Sequence, residues 1–160
     1  MKIKSLIAVL LCIVVCSSCE QPPVEAYVVL PQPQEINYVQ GFVKLKDKPT
    51  VAYSNELSNE ALLLASYLKN DFAVEANLQE GKDKGDIVLS LDSMVLPDKK
   101  GGYALEAAGS RITIKAPAPE GVFNGVQTLR QIIKEREGRL TVQKALVTDY
   151  PAFSWRAFML

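Results

Sequence analysis

The chain of 160 residues contains no histidine. Histidine-ligated zinc sites, Ser-His and Cys-His nucleophiles and imidazole acid–base catalysis are therefore excluded for this chain alone. Basic and acidic residues number 18 each, which gives no electrostatic reason to expect nucleic acid as a partner. The sequence also lacks a glycine-rich phosphate loop that carries the expected lysine and hydroxyl residues. We predict no metal and no cofactor.

Cysteine is scarce, and long apolar runs are absent except near the N-terminus. There, two lysines within the first four residues precede the apolar run 6–15, and residues 16–19 read Cys-Ser-Ser-Cys. This run is shorter than the roughly twenty residues that span a bilayer, and it resembles the signal of a bacterial lipoprotein. We predict that residues 1–18 form a signal peptide. A buried N-terminal helix is the alternative interpretation.

Cys19 is the last of the three cysteines and the only one in the processed chain. A single cysteine cannot form an internal disulfide, and acylation would explain its presence in an exported protein. We predict that Cys19 is lipidated and tethers the chain to a membrane of the cell envelope. The proline-containing residues 19–33 then form an extended tether.

Residues 34–150 are predicted to form one α+β domain, a mixed and largely antiparallel sheet with two helices on one face. The helices are predicted at 58–72, capped by Ser58, and at about 120–136, with Gly138 as a stop. Apolar residues recur in both at helical spacing. The predicted strands are 35–39, 41–45, 50–53, 74–78, 86–91, 103–107, 111–116, 140–142 and 145–148.

Four charged residues are candidates for a functional role, although spacing alone places no two carboxylates in one pocket. Glu106 lies in a predicted hairpin, Glu120 at a helix start and Asp149 before Pro151, where a solvated residue, a helix N-terminal charge and a turn former are the simpler interpretations. Arg156 lies in an otherwise apolar stretch, where a guanidinium is costly unless it is paired. A structural ion pair and a substrate-binding arginine both stay open.

Three segments resemble the N-terminal domain and domain junction of glycoside hydrolase family 20, the β-N-acetylhexosaminidases. They are residues 30–36 (LPQPQEI), residues 112–132 (ITIKA, then GVFNGVQTLRQI) and residues 149–156 (DYPAFSWR). They occur in the same order as in the family and frame nearly the whole processed chain. The resemblance implies an α+β domain followed by a (β/α)₈ barrel, which residues 151–160 would begin.

The resemblance also implies hydrolysis of terminal N-acetylhexosamine residues by a substrate-assisted route. In the family, an adjacent aspartate and glutamate on a later barrel strand orient the acetamido group and protonate the leaving oxygen. The arginine that corresponds to Arg156 binds hydroxyls of the terminal sugar. Because the sequence stops at Leu160, we expect a truncated chain with no catalytic residue of its own and no activity alone.

Three functions stay open at this point. The chain is a non-catalytic leading domain of a lipid-anchored hexosaminidase, with N-acetylhexosamine glycans as the family's ligands. Alternatively, it is an envelope module that binds glycans or proteins. In the third case, a separately encoded barrel completes an active enzyme in trans.

Overall fold

The computed structural model describes residues 24–81 and 84–152. Within them lie eight strands, two helices and a short 3₁₀ turn, Asn55–Leu57. The helices are α1, Ser58–Phe72, and α2, Pro119–Ile132. The strands are β1, Glu35–Lys44; β2, Thr50–Tyr53; β3, Asn77–Glu80; β4, Ile87–Leu91; β5, Tyr103–Ala108; β6, Arg111–Ala116; β7, Lys134–Arg136; and β8, Arg139–Asp149.

The strands form one mixed sheet in the order β1-β8-β5-β6-β4-β2-β3, and β7 pairs with the start of β8. The β1–β8, β5–β8, β5–β6 and β7–β8 pairs are antiparallel. The β2–β3, β2–β4 and β4–β6 pairs are parallel. The predicted fold class, an α+β arrangement with a mixed and largely antiparallel sheet, is confirmed.

Both helices pack on the sheet and contact each other, so they lie on the same face. In α1, Ala61, Leu64 and Leu68 are fully buried, which matches the predicted apolar stripe. In α2 the buried apolar residues are Val122, Val126, Leu129 and Ile132. They meet alternate residues of the strands, so the core lies between the helices and the sheet.

Several predicted boundaries are wrong. The second helix ends at Ile132, because Ile133 has extended backbone and residues 134–136 pair with β8 instead of continuing the helix. Gly138, at a φ of +72°, turns the chain between β7 and β8 and does not cap α2. Ser58 lies inside α1, which follows the 3₁₀ turn directly and has no side-chain cap.

Three strand predictions also need correction. The strands predicted at 35–39 and 41–45 are one strand, β1, with an irregularity between Tyr38 and Phe42. The two final predicted strands are likewise one, β8. The strand predicted at 74–78 begins only at Asn77, because α1 ends in a left-handed residue, Ala73, and the amide of Val74 still bonds back to α1.

Neither helix in the described ranges has the length and apolar character needed to cross a membrane.

Candidate functional site

A groove lies where the start and the end of the described chain meet α2. Its walls are residues 29–31, the loop 98–101, the exposed side of α2 and the end of β8 with residues 149–152. The groove is open to solvent and has a volume of about 1160 Å³. We call it the α2 groove. It joins parts of the sequence that are about 120 residues apart.

Two glycines set the position of α2 beneath this groove. A Cβ atom on Gly121 would overlap the carbonyl oxygen of Gly102 and lie 2.7 Å from the Cβ of Ala116. A Cβ atom on Gly125 would lie 2.6 Å from the Cγ2 of Ile114. Only residues without a side chain allow the helix backbone to lie this close to the sheet. Gly121 and Gly125, one helical turn apart, therefore set how closely α2 packs on the sheet.

The floor of the groove contains a buried pair of hydroxyl groups. The Tyr103 and Thr128 hydroxyl oxygens lie 2.5 Å apart, and either can be the donor. Burial, opposed by the Thr128 hydrogen bond and aided by the nearby Asp149 carboxylate, raises the pKa of Tyr103 to about 12. Tyr103 therefore stays protonated at neutral pH and is unsuited to act there as a general base.

The loop and the end of β8 close one end of the α2 groove. The Asn124 side-chain amide donates to the Gly101 carbonyl over 2.8 Å, which fastens the loop to α2. The Lys99 ammonium lies 4.6 Å from the centre of the Tyr150 ring, a cation–π contact. These contacts hold the loop 98–101 against α2 and against Tyr150.

The N-terminal segment forms the other wall. The Gln131 side chain accepts a hydrogen bond from the Leu30 amide at 2.9 Å and donates to the Leu30 carbonyl at 3.2 Å. This arrangement imitates the pairing of two strands. The Gln34 amide donates to the Asp149 carboxylate over 3.2 Å. Residues that precede β1 are thus part of the packed domain.

Charged side chains of both signs line the groove. They are Asp98, Lys99, Lys100, Glu120 and Asp149. Such a lining suits contact with a polar surface or with a hydroxyl-rich ligand. No group of three or more potential metal ligands occurs in the part of the chain that the structure describes.

The structure brings together two of the carboxylates that spacing could not relate. Glu120 and Asp149 both line the groove, whereas Glu106 is exposed on β5. Arg156 and Cys19 lie outside the described residues, as does most of the segment 151–160. Their predicted roles stay predictions. Sequence reasoning missed Gln131 and Thr128, whose partners are 101 and 25 residues away, because nothing local marks such pairs.

The described residues form one α+β layer, and the polar groove lies beside α2 and the end of the last strand, β8. Residues 26–150 match the sequence pattern of glycosyl hydrolase family 20, domain 2. The chain belongs to this family. This confirms the resemblance to the N-terminal domain of the family.

A β-hexosaminidase of Porphyromonas gingivalis is 30% identical over 142 residues, which are 82% of this chain and 18% of the relative. The structure of the Flavobacterium johnsoniae chitobiase is similar with a TM-score of 0.72 and 19% identity, covering 88% of this chain and 23% of that one. The structure of the exo-β-N-acetylglucosaminidase of Vibrio harveyi is similar with a TM-score of 0.70 and 19% identity, covering 87% of this chain and 22% of that one. These two structures support the fold alone. The chain spans about a fifth of the length of the curated relative.

Proposed function

We propose that this chain is the non-catalytic leading domain of a lipid-anchored β-N-acetylhexosaminidase. The domain carries the anchor and presents the α2 groove to the neighbouring catalytic domain. The hydrolysis of terminal N-acetylhexosamine residues takes place in a (β/α)₈ barrel. By resemblance to the family, an aspartate and a glutamate of that barrel are the catalytic residues. Arg156 binds sugar hydroxyls within that barrel.

The observation that carries this proposal is the match of residues 26–150 to a pattern defined as domain 2 of a hydrolase family. The matched relative is named β-hexosaminidase, and the match covers only 18% of its length. The similar structure of the Vibrio harveyi enzyme is a complex with N-acetylglucosamine. These facts support N-acetylhexosamine glycans as the substrate class and support placing the chemistry outside the matched domain.

The first test is an assay of the purified chain with a chromogenic N-acetyl-β-glucosaminide. We expect no release of the chromophore above the buffer blank. The proposal would be contradicted if the wild-type chain released the chromophore and the Glu120→Gln or Asp149→Asn variant released less of it. That result would place hydrolysis in the α2 groove. A titration with chitooligosaccharides tests the alternative function, an envelope module that binds glycans. Saturable binding by the chain alone would favour that alternative.

The second test concerns the anchor. Cells that express the chain and are fed labelled palmitate should incorporate the label, and Cys19→Ser should abolish incorporation. The processed protein should fractionate with membranes of the cell envelope. A wild-type chain that stays unlabelled and soluble would rule out the lipid anchor but would leave the domain assignment intact.

A further inference from the structure

The N-terminal segment is fastened to the domain close to the point where a tether would leave it. The Glu25 amide donates to the Gln143 side chain over 3.3 Å, and the Glu25 carboxylate pairs with Arg136. The Tyr27 amide donates to the Tyr38 hydroxyl over 2.6 Å, and the two rings lie 5.3 Å apart. The packed domain therefore extends to Glu25.

The remaining distance to an acyl chain on Cys19 is short. Four residues, 20–23, separate Cys19 from Val24. A fully extended chain advances about 3.3–3.6 Å per residue, so five steps reach about 18 Å at most. This is the largest separation that the tether allows, and shorter ones bring the surface within the Debye length of about 8 Å, where exposed charges still interact. An anchor at Cys19 would thus hold the surface around Glu25 beside the lipid headgroups.

The surface around Glu25 is rich in basic side chains. Lys44 of β1 and Lys134 of β7 both pair in register with Thr141 of β8, one on each side. Arg136 lies opposite Arg139 in the same ladder. We call this surface the basic edge. Its cations are Lys44, Lys134, Arg136 and Arg139, which strand pairing places on one face, and its carboxylates are Glu25 and Glu137, the partners of Arg136 and Lys44.

The ion pairs within the basic edge leave a positive excess. Arg136 pairs with Glu25, and Lys44 lies 4.0 Å from Glu137 with 60% of its side chain exposed. Four cations therefore face two carboxylates. From Cys19 onward the chain has sixteen basic and eighteen acidic residues, so the rest has twelve basic against sixteen acidic residues. The sign of the charge on this edge is therefore opposite to that of the rest of the chain.

We infer that the basic edge rests on an anionic lipid surface. This inference builds on the proposed anchor at Cys19. A tether of about 18 Å keeps the edge at high effective concentration near the headgroups. Each basic residue near an anionic surface then adds a modest attraction, whereas the net-negative remainder of the domain is repelled.

The test couples the chain that begins at Cys19 to vesicles that contain a maleimide lipid, through its single thiol. This coupling replaces natural acylation, so the result does not depend on whether cells lipidate the protein. Hydrogen exchange is compared on vesicles with and without 30% phosphatidylglycerol. We expect at least a threefold slowing of exchange in residues 134–144 on the anionic vesicles only, and its loss in 0.5 M NaCl.

Charge reversal identifies the surface. The double variant Lys134→Glu and Arg139→Glu should lose the protection, and its untethered Cys19→Ser form should bind anionic vesicles at least about tenfold more weakly. The matched control is Lys100→Glu with Lys115→Glu, which makes the same charge change at exposed positions away from the edge. Equal protection in both variants, or protection that persists on neutral vesicles or in high salt, would overturn the inference.

Discussion

Helix α2 makes two contacts of opposite character. Its inner side approaches the sheet closely at Gly121 and Gly125, where α2 has no side chain, and the buried Tyr103–Thr128 pair is the nearby polar contact. Its outer side touches α1 through polar groups that are half-buried or exposed: Gln127 donates to the Tyr67 hydroxyl over 3.0 Å, and Arg130 pairs with Asp71. Both contacts are well formed. They differ in how much a substitution should cost.

The difference follows from solvent and packing density. On the inner side a new atom must displace backbone, and a lost hydrogen bond leaves a buried group without a partner. On the outer side water replaces any lost partner, and exposed ion pairs contribute little. The outer contact therefore serves to orient the two helices, while the inner contact carries the stability. Substitutions at Gly121, Thr128 and Arg130 test this ranking, and a fourth, at Asp86 on neither side of α2, gives a buried ion pair for comparison.

The largest effect is expected from Gly121→Ala. The added methyl group would overlap the Gly102 carbonyl oxygen, so α2 must move away from the sheet. We expect a loss of about 3 kcal/mol in the free energy of unfolding, even after the better helix propensity of alanine. Urea denaturation followed by circular dichroism measures it.

Gly109→Ala is the matched control, because it also adds one methyl group. Gly109 has a φ of +56° but no atom within 4 Å of the new Cβ, so only backbone strain of about 1 kcal/mol is expected. Equal losses in the two variants would show that the close approach of α2 does not matter for stability.

The second largest effect is expected from a substitution of Asp86, which immediately precedes β4 and has only 11% of its side chain exposed. Its carboxylate accepts from the Thr50 amide over 2.9 Å and pairs with Lys46 at 2.8 Å. Burial opposes ionisation, but these two partners outweigh it and lower the pKa of Asp86 below its usual value. Asp86→Ala should cost about 2 kcal/mol at pH 7.

The pH dependence gives a sharper test of Asp86. Because the folded pKa is lowered, the stabilisation is fully present above the usual carboxyl pKa of about 4 and is lost as the pH falls through the folded value. The difference between wild type and Asp86→Ala should therefore shrink below pH 4. A difference that stays constant down to pH 2 would contradict the assignment.

The helices and strands show which parts of the fold the sequence can predict and which it cannot. The stripe of α1 follows from apolar spacing, and the hairpin of β5 and β6 follows from alternation around Gly109, so both were found. The end of α2 was missed because Lys134, Glu135 and Arg136 favour a helix locally but gain a strand partner in β8. Tertiary pairing overrides local propensity there.

The α2 groove could not be predicted for a related reason. It forms only where Leu30, Gly101 and Asn124 converge, and no periodic pattern in the sequence links them. The family resemblance predicted the fold and a sugar-binding role for Arg156, and the resemblance to a lipoprotein signal assigned Cys19, but both residues lie outside the described ranges. The described groove instead combines charged side chains with amides and hydroxyls that come from separate parts of the sequence.

The third effect, on the inner side, is expected from Thr128→Val. Valine has nearly the same shape but cannot hydrogen-bond, so the buried Tyr103 hydroxyl loses its partner. We expect a loss of about 1 kcal/mol, and Thr128→Ser should recover most of it. The tyrosine titration seen by ultraviolet absorbance should shift as well, because the Thr128 bond lowers the pKa of Tyr103. A stability equal to that of wild type would mean that water satisfies Tyr103.

The smallest effect is expected on the outer side, from Arg130→Gln. The guanidinium donates to Asp71 over 2.5 and 3.1 Å and stacks 4.1 Å from the centre of the Tyr67 ring, but 41% of its side chain is exposed. Water and salt screen such a pair, so the unfolding midpoint should fall by less than in Thr128→Val and should match wild type in 1 M NaCl. Asp71→Asn, which removes the other charge, should behave the same way, and the double variant should cost no more than either single one. A loss larger than that of Thr128→Val, and insensitive to salt, would reverse the ranking of the two sides of α2 and make the helix pair, not the glycine contact, the main source of stability.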